Sequence, residues 1–248
     1  MATIGIFDSG SGGLSVLREI RKILPEQRYI YFSDNAHCPY GDKSAQYVTD
    51  RCRAITDMLL AEGASAVVVA CNTATAAAIS TLRSEYQVPF VGMEPAVKPA
   101  ATGTRSGVVG VLATAGTLKA PKYLNIKGQY ADAVRIAERV GKGFVELVES
   151  LELDGPHAES VVRSSLQPLL DEGADIVVLG CTHYPFLLPL MQRIAPEGVK
   201  FIDPAPAVAR RLMEVLQGSG IPLTDPDPGV ELRSSGSGTT LKKLFTLI

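Results

Sequence analysis

The segments EGASAVVVACNT at residues 62–73 and EGADIVVLGCTH at residues 172–183 match at six of twelve positions, with Cys71 and Cys181 110 residues apart. Each ends an apolar, strand-like run with a cysteine followed by small polar residues. A repeat of this length implies a duplicated half-domain rather than a solenoid, whose periods are shorter. Two copies facing each other would bring one thiol from each half to a shared cleft. That arrangement suits chemistry needing an acid and a base on opposite sides of one atom.

Outward from these segments, strand-like runs alternate with helix-like runs, the pattern of a mostly parallel α/β sheet. Strands are expected at residues 3–7, 29–32, 66–70 and 89–92, then at 107–112, 133–136, 176–179 and 199–202. Helices are expected at 13–24, 44–62 and 74–85, then at 121–123, 142–151, 157–172 and 186–194. Leu14, Leu17, Ile20 and Leu24 supply an apolar face at helical spacing. The first strands of the two halves also correspond, GIFDSGSG at 5–12 with GVLATAGT at 110–117. Residues 92–105 read as a crossover between lobes. The tail after Asp203, with a helix at 207–216, a short strand at 230–233 and a helix at 241–245, has no counterpart between the repeats. Packed back on the first lobe, it gives a discontinuous first domain (1–97 plus 206–248) and a second at 98–205.

Composition narrows the function classes. With 46% hydrophobic and 20% charged residues, the 248-residue chain has ample material for a folded core. A formal net charge of −2 implies no broad basic face, so no nucleic-acid partner is expected. No apolar run reaches the ~18 residues of a membrane span. The first strand begins at once, leaving no room for a signal peptide, so a cytoplasmic location is expected. Cys38, Cys52, Cys71 and Cys181 contain no C-x-x-C, and His37, His157 and His183 offer no zinc spacing. Free thiols and no metal are the expectation. Cys52, on an apolar stripe with Val48, Ile55 and Leu59, reads as a small buried hydrophobe.

Ligands of open α/β sheets bind beyond the carboxyl ends of the strands. Asp8-Ser9-Gly10, Cys71-Asn72-Thr73, the 113–117 turn and Cys181-Thr182-His183 all fall there. A cysteine between a buried strand and a helix start sits where negative charge is favoured. One such thiol alone reads as structural; two at matched positions read as a pair. DSGSGG at 8–13 approaches G-x-G-x-x-G but has Ser15 in the third position and no P-loop lysine. Asp8 is therefore either a charged assistant, with Ser9 a hydrogen-bond donor, or a cap for the next helix. Tyr40 and Gly41, in the turn-rich 34–42 loop, offer a hydroxyl and a backbone N–H. His183 is placed to tune or orient Cys181. Glu149, on FVELVES, reads by itself as a solvated helix carboxylate.

Together DSGSGG, PYGD, VVVACNTA, ATAGT and VVLGCTHYP resemble the glutamate racemases of the aspartate/glutamate racemase superfamily, over nearly the whole chain and in order. PYGD and FVELVE favour the glutamate branch. The resemblance implies two α/β lobes related by pseudo-twofold symmetry, with the active site in the cleft between them. It also implies a pyridoxal-independent, cofactor-free enzyme interconverting L- and D-glutamate for peptidoglycan synthesis, working as a homodimer. Carried over, Cys71 would take the α-proton of D-glutamate and Cys181 that of L-glutamate. Asp8 and His183 would assist the thiols, and Glu149 falls at a further catalytic carboxylate. Asp8, Ser9, Tyr40, Gly41, Asn72, Thr73, Thr114, Thr117, Thr182 and His183 would hold the substrate. The chain departs from the family's habit at Glu146, often proline, and at Asn35-Ala36-His37-Cys38. No N-terminal extension precedes the first strand, so activation by a peptidoglycan precursor is not expected. The competing readings are a racemase for aspartate or another amino acid, and a ligand-binding or redox-sensing module using the same thiols.

Overall fold

The computed structural model describes residues 2–248. The fold is α/β, with two compact units: the chain up to Met93 together with Ala205–Ile248, and Glu94–Pro204. All strand pairings in both sheets are parallel.

In the first unit β1 (Thr3–Asp8), α1 (Leu14–Ile23), β2 (Arg28–Ser33), α2 (Ala45–Ala61), β3 (Ala64–Val69), α3 (Asn72–Glu85) and β4 (Phe90–Gly92) alternate strictly. The second unit opens with α4 (Val97–Gly103). There follow β5 (Val108–Ala113), α5 (Ala115–Lys119), α6 (Pro121–Tyr130), β6 (Arg135–Val140), α7 (Phe144–Glu149), α8 (Pro156–Asp171), β7 (Ile176–Gly180), α9 (Leu188–Ile194) and β8 (Lys200–Ile202). The chain then returns to the first unit with α10 (Ala205–Gly218), β9 (Gly229–Ser234) and α11 (Thr239–Phe245).

The sheets run β4-β3-β1-β2-β9 and β8-β7-β5-β6. Apart from β9, the order is the same: the first strand lies inside, the second to one side, the third and fourth to the other. The topological switch point therefore falls between β1 and β3 in one sheet and between β5 and β7 in the other. Those are the strands that carry the matching segments. The central strands are buried on both faces, as parallel strands covered by helices must be. The paired Glu-Gly turns also match. Gly63 and Gly173 both have φ +89°, a left-handed conformation that ends α2 and α8 and redirects the chain into β3 and β7.

Three sequence expectations change. The 92–105 crossover contains α4; Pro95 and Pro99 disguise it, but Pro99 lies in the first helical turn, where a missing N–H costs nothing. The 133–136 strand is instead β6, at Arg135–Val140. It is an edge strand whose Glu138 and Arg139 pair with Lys127 and Glu172, so its charge hides its strand character. The helix at 121–123 runs on to Tyr130, and α5 precedes it. No helix among the described residues is long and apolar enough to cross a membrane.

Candidate active site

In the first unit, β1 delivers Asp8 and β3 delivers Cys71 to the same end of the sheet. Cys71 is the N-cap residue of α3, with extended backbone (φ −143°, ψ 123°), and is buried. The dipole of this 14-residue helix favours negative charge at that end. The Cys71 thiol donates to Ser9 Oγ at 3.7 Å, and Ser9 Oγ donates to Asp8 Oδ1 at 3.4 Å. Asp8 Oδ2 accepts the Gly13 N–H at 2.8 Å, ahead of α1. Asp8 thus both restrains the backbone at the start of α1 and ends a thiol–hydroxyl–carboxylate relay. Gly13 is required here: a Cβ would lie 2.8 Å from both Asp8 Cβ and the Tyr31 hydroxyl. Asn72 follows Cys71 and is almost fully buried. Neither its amide nitrogen nor its amide oxygen has a hydrogen-bond partner among the described residues. Thr73, beside it, is also buried.

In the second unit Cys181 directly follows β7, but no α-helix starts there. Thr182 and His183 form a turn, Tyr184–Leu187 is a 3-10 segment, and α9 begins only at Leu188. The helix expected at 186–194 is present, but Pro185 and the tight turn keep its start away from Cys181 itself. A histidine stands in its place. His183 Nδ1 lies 3.8 Å from Cys181 Sγ, and its Nε2 lies 2.8 Å from Glu149 Oε1 at the end of α7. His183 is 1% exposed and Glu149 21%, so the imidazole sits between a buried thiol and a carboxylate that reaches toward solvent. This contact spans 34 residues of sequence, which is why Glu149 reads as a surface residue in isolation. Tyr184 packs edge-on against Phe144, and burial followed by the nearby Cys181 pushes its phenol well above the ordinary range. Thr114 caps α5, accepting the Thr117 N–H at 3.2 Å, with the two hydroxyls 3.0 Å apart. Thr117 and Thr182 are buried.

Tyr40 belongs to the buried cluster that contains Cys71, and Gly41 follows it in a 3-10 turn. Its hydroxyl donates to Asp34 Oδ2 at 2.5 Å. Asp34, at the start of the 34–42 loop, is not among the site residues the sequence marks. Asp34 is fully buried and receives a bidentate pair from Arg51, Nε to Oδ2 at 2.9 Å and Nη2 to Oδ1 at 2.8 Å. Burial raises the Asp34 carboxyl, but hydrogen bonds from Arg51, Tyr40 and Ser235 outweigh it and hold the group below the usual carboxylate range. The signal available in sequence was an aspartate directly after a buried strand. All four cysteines are free thiols, and burial pushes Cys52 up to about 12, in keeping with an unreactive core residue.

Each sheet therefore carries, at its switch point, one buried thiol with its own polar assistant. The Asp/Glu/Hydantoin racemase family model matches residues 4–212. The chain belongs to that family. Members similar to it include glutamate racemases from Ectopseudomonas mendocina, 49% identical over all of this chain and 94% of the relative, and Pseudomonas aeruginosa, 52% identical over 87% and 82%. Among solved structures, Escherichia coli glutamate racemase in complex with L-glutamate and the activator UDP-MurNAc-ala superposes with a TM-score of 0.87. It is 34% identical, covering 99% of this chain and 94% of that one. As a member of this family the chain is an amino-acid racemase, an isomerase.

Proposed function

We propose that the chain racemises glutamate by two-base 1,1-proton transfer, with Cys71 and Cys181 as the two acid/base groups. Inversion at Cα requires a proton to leave one face and another to arrive on the opposite face. A single base tends to return the proton where it was taken, so two groups are required. One is thiolate while the other is thiol, and the roles exchange with direction. The observation that carries this reading is positional. β3 and β7 hold the same place in two sheets of like order, and each is followed within two residues by a buried thiol.

In this proposal Cys71 works on D-glutamate with Asp8 and Ser9 beside it, and Cys181 works on L-glutamate with His183 and Glu149. The unpaired buried Asn72 amide supports an amino-acid ligand, because an α-amino acid brings both donors and acceptors. Ser9, Tyr40, Gly41, Thr73, Thr114, Thr117, Thr182 and His183 would complete the hold on the substrate. Hydroxyl and N–H groups in such a site stabilise the charge that develops as the α-proton leaves. Glutamate over aspartate rests on the relatives, which are glutamate racemases at about half identity. The D-glutamate would serve peptidoglycan synthesis in the cytoplasm, and the protein would work as a homodimer, a state that light scattering measures directly.

Incubation of the purified protein with each enantiomer in D2O tests the chemistry. Optical rotation should decay to zero from either side as deuterium enters the α-position. Cys71→Ala and Cys181→Ala should each abolish inversion. Full two-way turnover in either variant would overturn the two-thiol assignment.

A further inference from the structure

The 34–42 loop is tied down from three directions. At its start the Asp34 N–H donates to the Asp8 carbonyl at 2.9 Å, which joins the loop to the end of β1. At its centre Tyr40 and Arg51 converge on the Asp34 carboxylate. On its outer side the end of β9 and the loop after it clasp Asn35: the Asn35 side-chain oxygen accepts from Ser234 Oγ at 2.7 Å and the Gly236 N–H at 2.9 Å, and its amide donates to the Ser237 carbonyl. Ser235 Oγ accepts the Ala36 N–H at 3.1 Å.

The chemistry of the central contact limits what Tyr40 can do. A carboxylate held by a bidentate guanidinium is an acceptor only, so the single phenolic proton of Tyr40 is committed to it. Tyr40 then has no hydroxyl proton left for a substrate carboxylate. With Tyr40 as a whole 1% exposed, what this turn can present to an anion is backbone.

We propose that Asp34 is a positioning residue for the racemase reaction: anchored by Arg51, it holds the Tyr40 hydroxyl and so fixes the backbone of Tyr40 and Gly41 for substrate binding. This inference rests on the reading of Tyr40 and Gly41 as substrate contacts. The side chains of Asp34, Arg51 and Tyr40 touch no reacting atom; they act through the turn. The same logic makes the clasp around Asn35 a buttress for that turn.

A double-mutant cycle on the full chain tests it. Wild type, Asp34→Asn, Tyr40→Phe and the double variant are compared for kcat and KM with both glutamate enantiomers, and for Tm. Tyr40→Phe keeps the ring and the Asp34–Arg51 pair, so it remains informative where Asp34→Asn folds poorly. Loss of a charge-assisted hydrogen bond predicts a KM raised roughly tenfold or more in each single variant, with kcat within about threefold. The double variant should be no worse than the worse single one, because both changes break the same link. Effects on KM that multiply, or a fall in Tm with KM unchanged, would reduce Asp34 to a structural residue and overturn the proposal. Wild-type protein inactive on both enantiomers would instead refute the glutamate racemase reading, and this inference with it.

Discussion

Cys71 and Cys181 occupy equivalent strand ends, yet their neighbours differ. Cys71 has a hydroxyl, a carboxylate and the start of a long helix, whereas Cys181 has an imidazole backed by Glu149. The later helix start after Cys181 leaves room for the histidine turn, so the two thiols have chemically distinct neighbours. Glu149→Gln tests the second. It keeps the shape but removes the charge that orients His183. With loss of ~1.5–3 kcal/mol from a charged hydrogen bond, kcat/KM should fall roughly 10- to 100-fold. The fall must be equal in both directions, since the enantiomers have equal free energy. The asymmetry should appear in the primary isotope effect, growing for 2-deuterated L-glutamate and not for the D-enantiomer; stopped polarimetric assays measure both. At this scale the cysteines are legible in the sequence because the repeat marks them, and His183 because it stands two residues after Cys181. Glu149 needed the family resemblance, and Asp34 escaped notice. Their partners lie 34 and 17 residues away, and no periodicity encodes such contacts.

Among the elements, the turns that launch β5 and β7 are bound together by Asp175, the aspartate that stands where the first copy has Ser65. Asp175 accepts the Arg105 N–H at 2.7 Å, the Ser106 N–H at 3.2 Å and the Ser106 hydroxyl at 3.0 Å, with the Thr104 hydroxyl as a further donor. Desolvation raises its carboxyl, and these four donors overcome that effect and hold it at about 2. Because the folded value lies below the ordinary carboxylate value of ~3.9, the stabilisation is complete above about pH 4 and is lost as pH falls toward 2. Asp175→Asn should therefore lower Tm near neutral pH, and the gap to wild type should close in acid; calorimetry across that range measures it. Both strands are readable from their apolar runs, whereas α4 is not and β6 is readable only at its start, Arg135 and Ile136. Proline obscured the one and edge charges the other, and in each case tertiary packing overrides the local pattern.

For the whole molecule, the duplicated strand order explains why two segments of the chain look alike, and β9 is where the copies part. It adds to β2 as a parallel edge strand from Gly229 to Ser234, with no counterpart beside β6 among the described residues. Deleting residues 229–248 would bare β2 and remove the clasp on Asn35. Hydrogen exchange should then rise in β2 and in the 34–42 loop, while β5 and β7 keep their protection. Loss of protection in both sheets together would show that the units unfold as one. The parallel α/β class and the return of the tail follow from alternation and from the leftover segment. The pairing of the tail with β2 does not, because no local signal selects between two open sheet edges.

The position of that last strand also sets a timetable for biosynthesis. Its partner β2 emerges from the ribosome early, but β9 follows it by some 200 residues, a delay of roughly 10–40 s at about 5–20 residues per second. Before that interval ends the Glu94–Pro204 segment, continuous in sequence, is synthesised with every strand of its own sheet, while the first sheet still waits with a bare edge. The nascent chain is thus most open to wrong pairing at the strand that supports the Tyr40 loop.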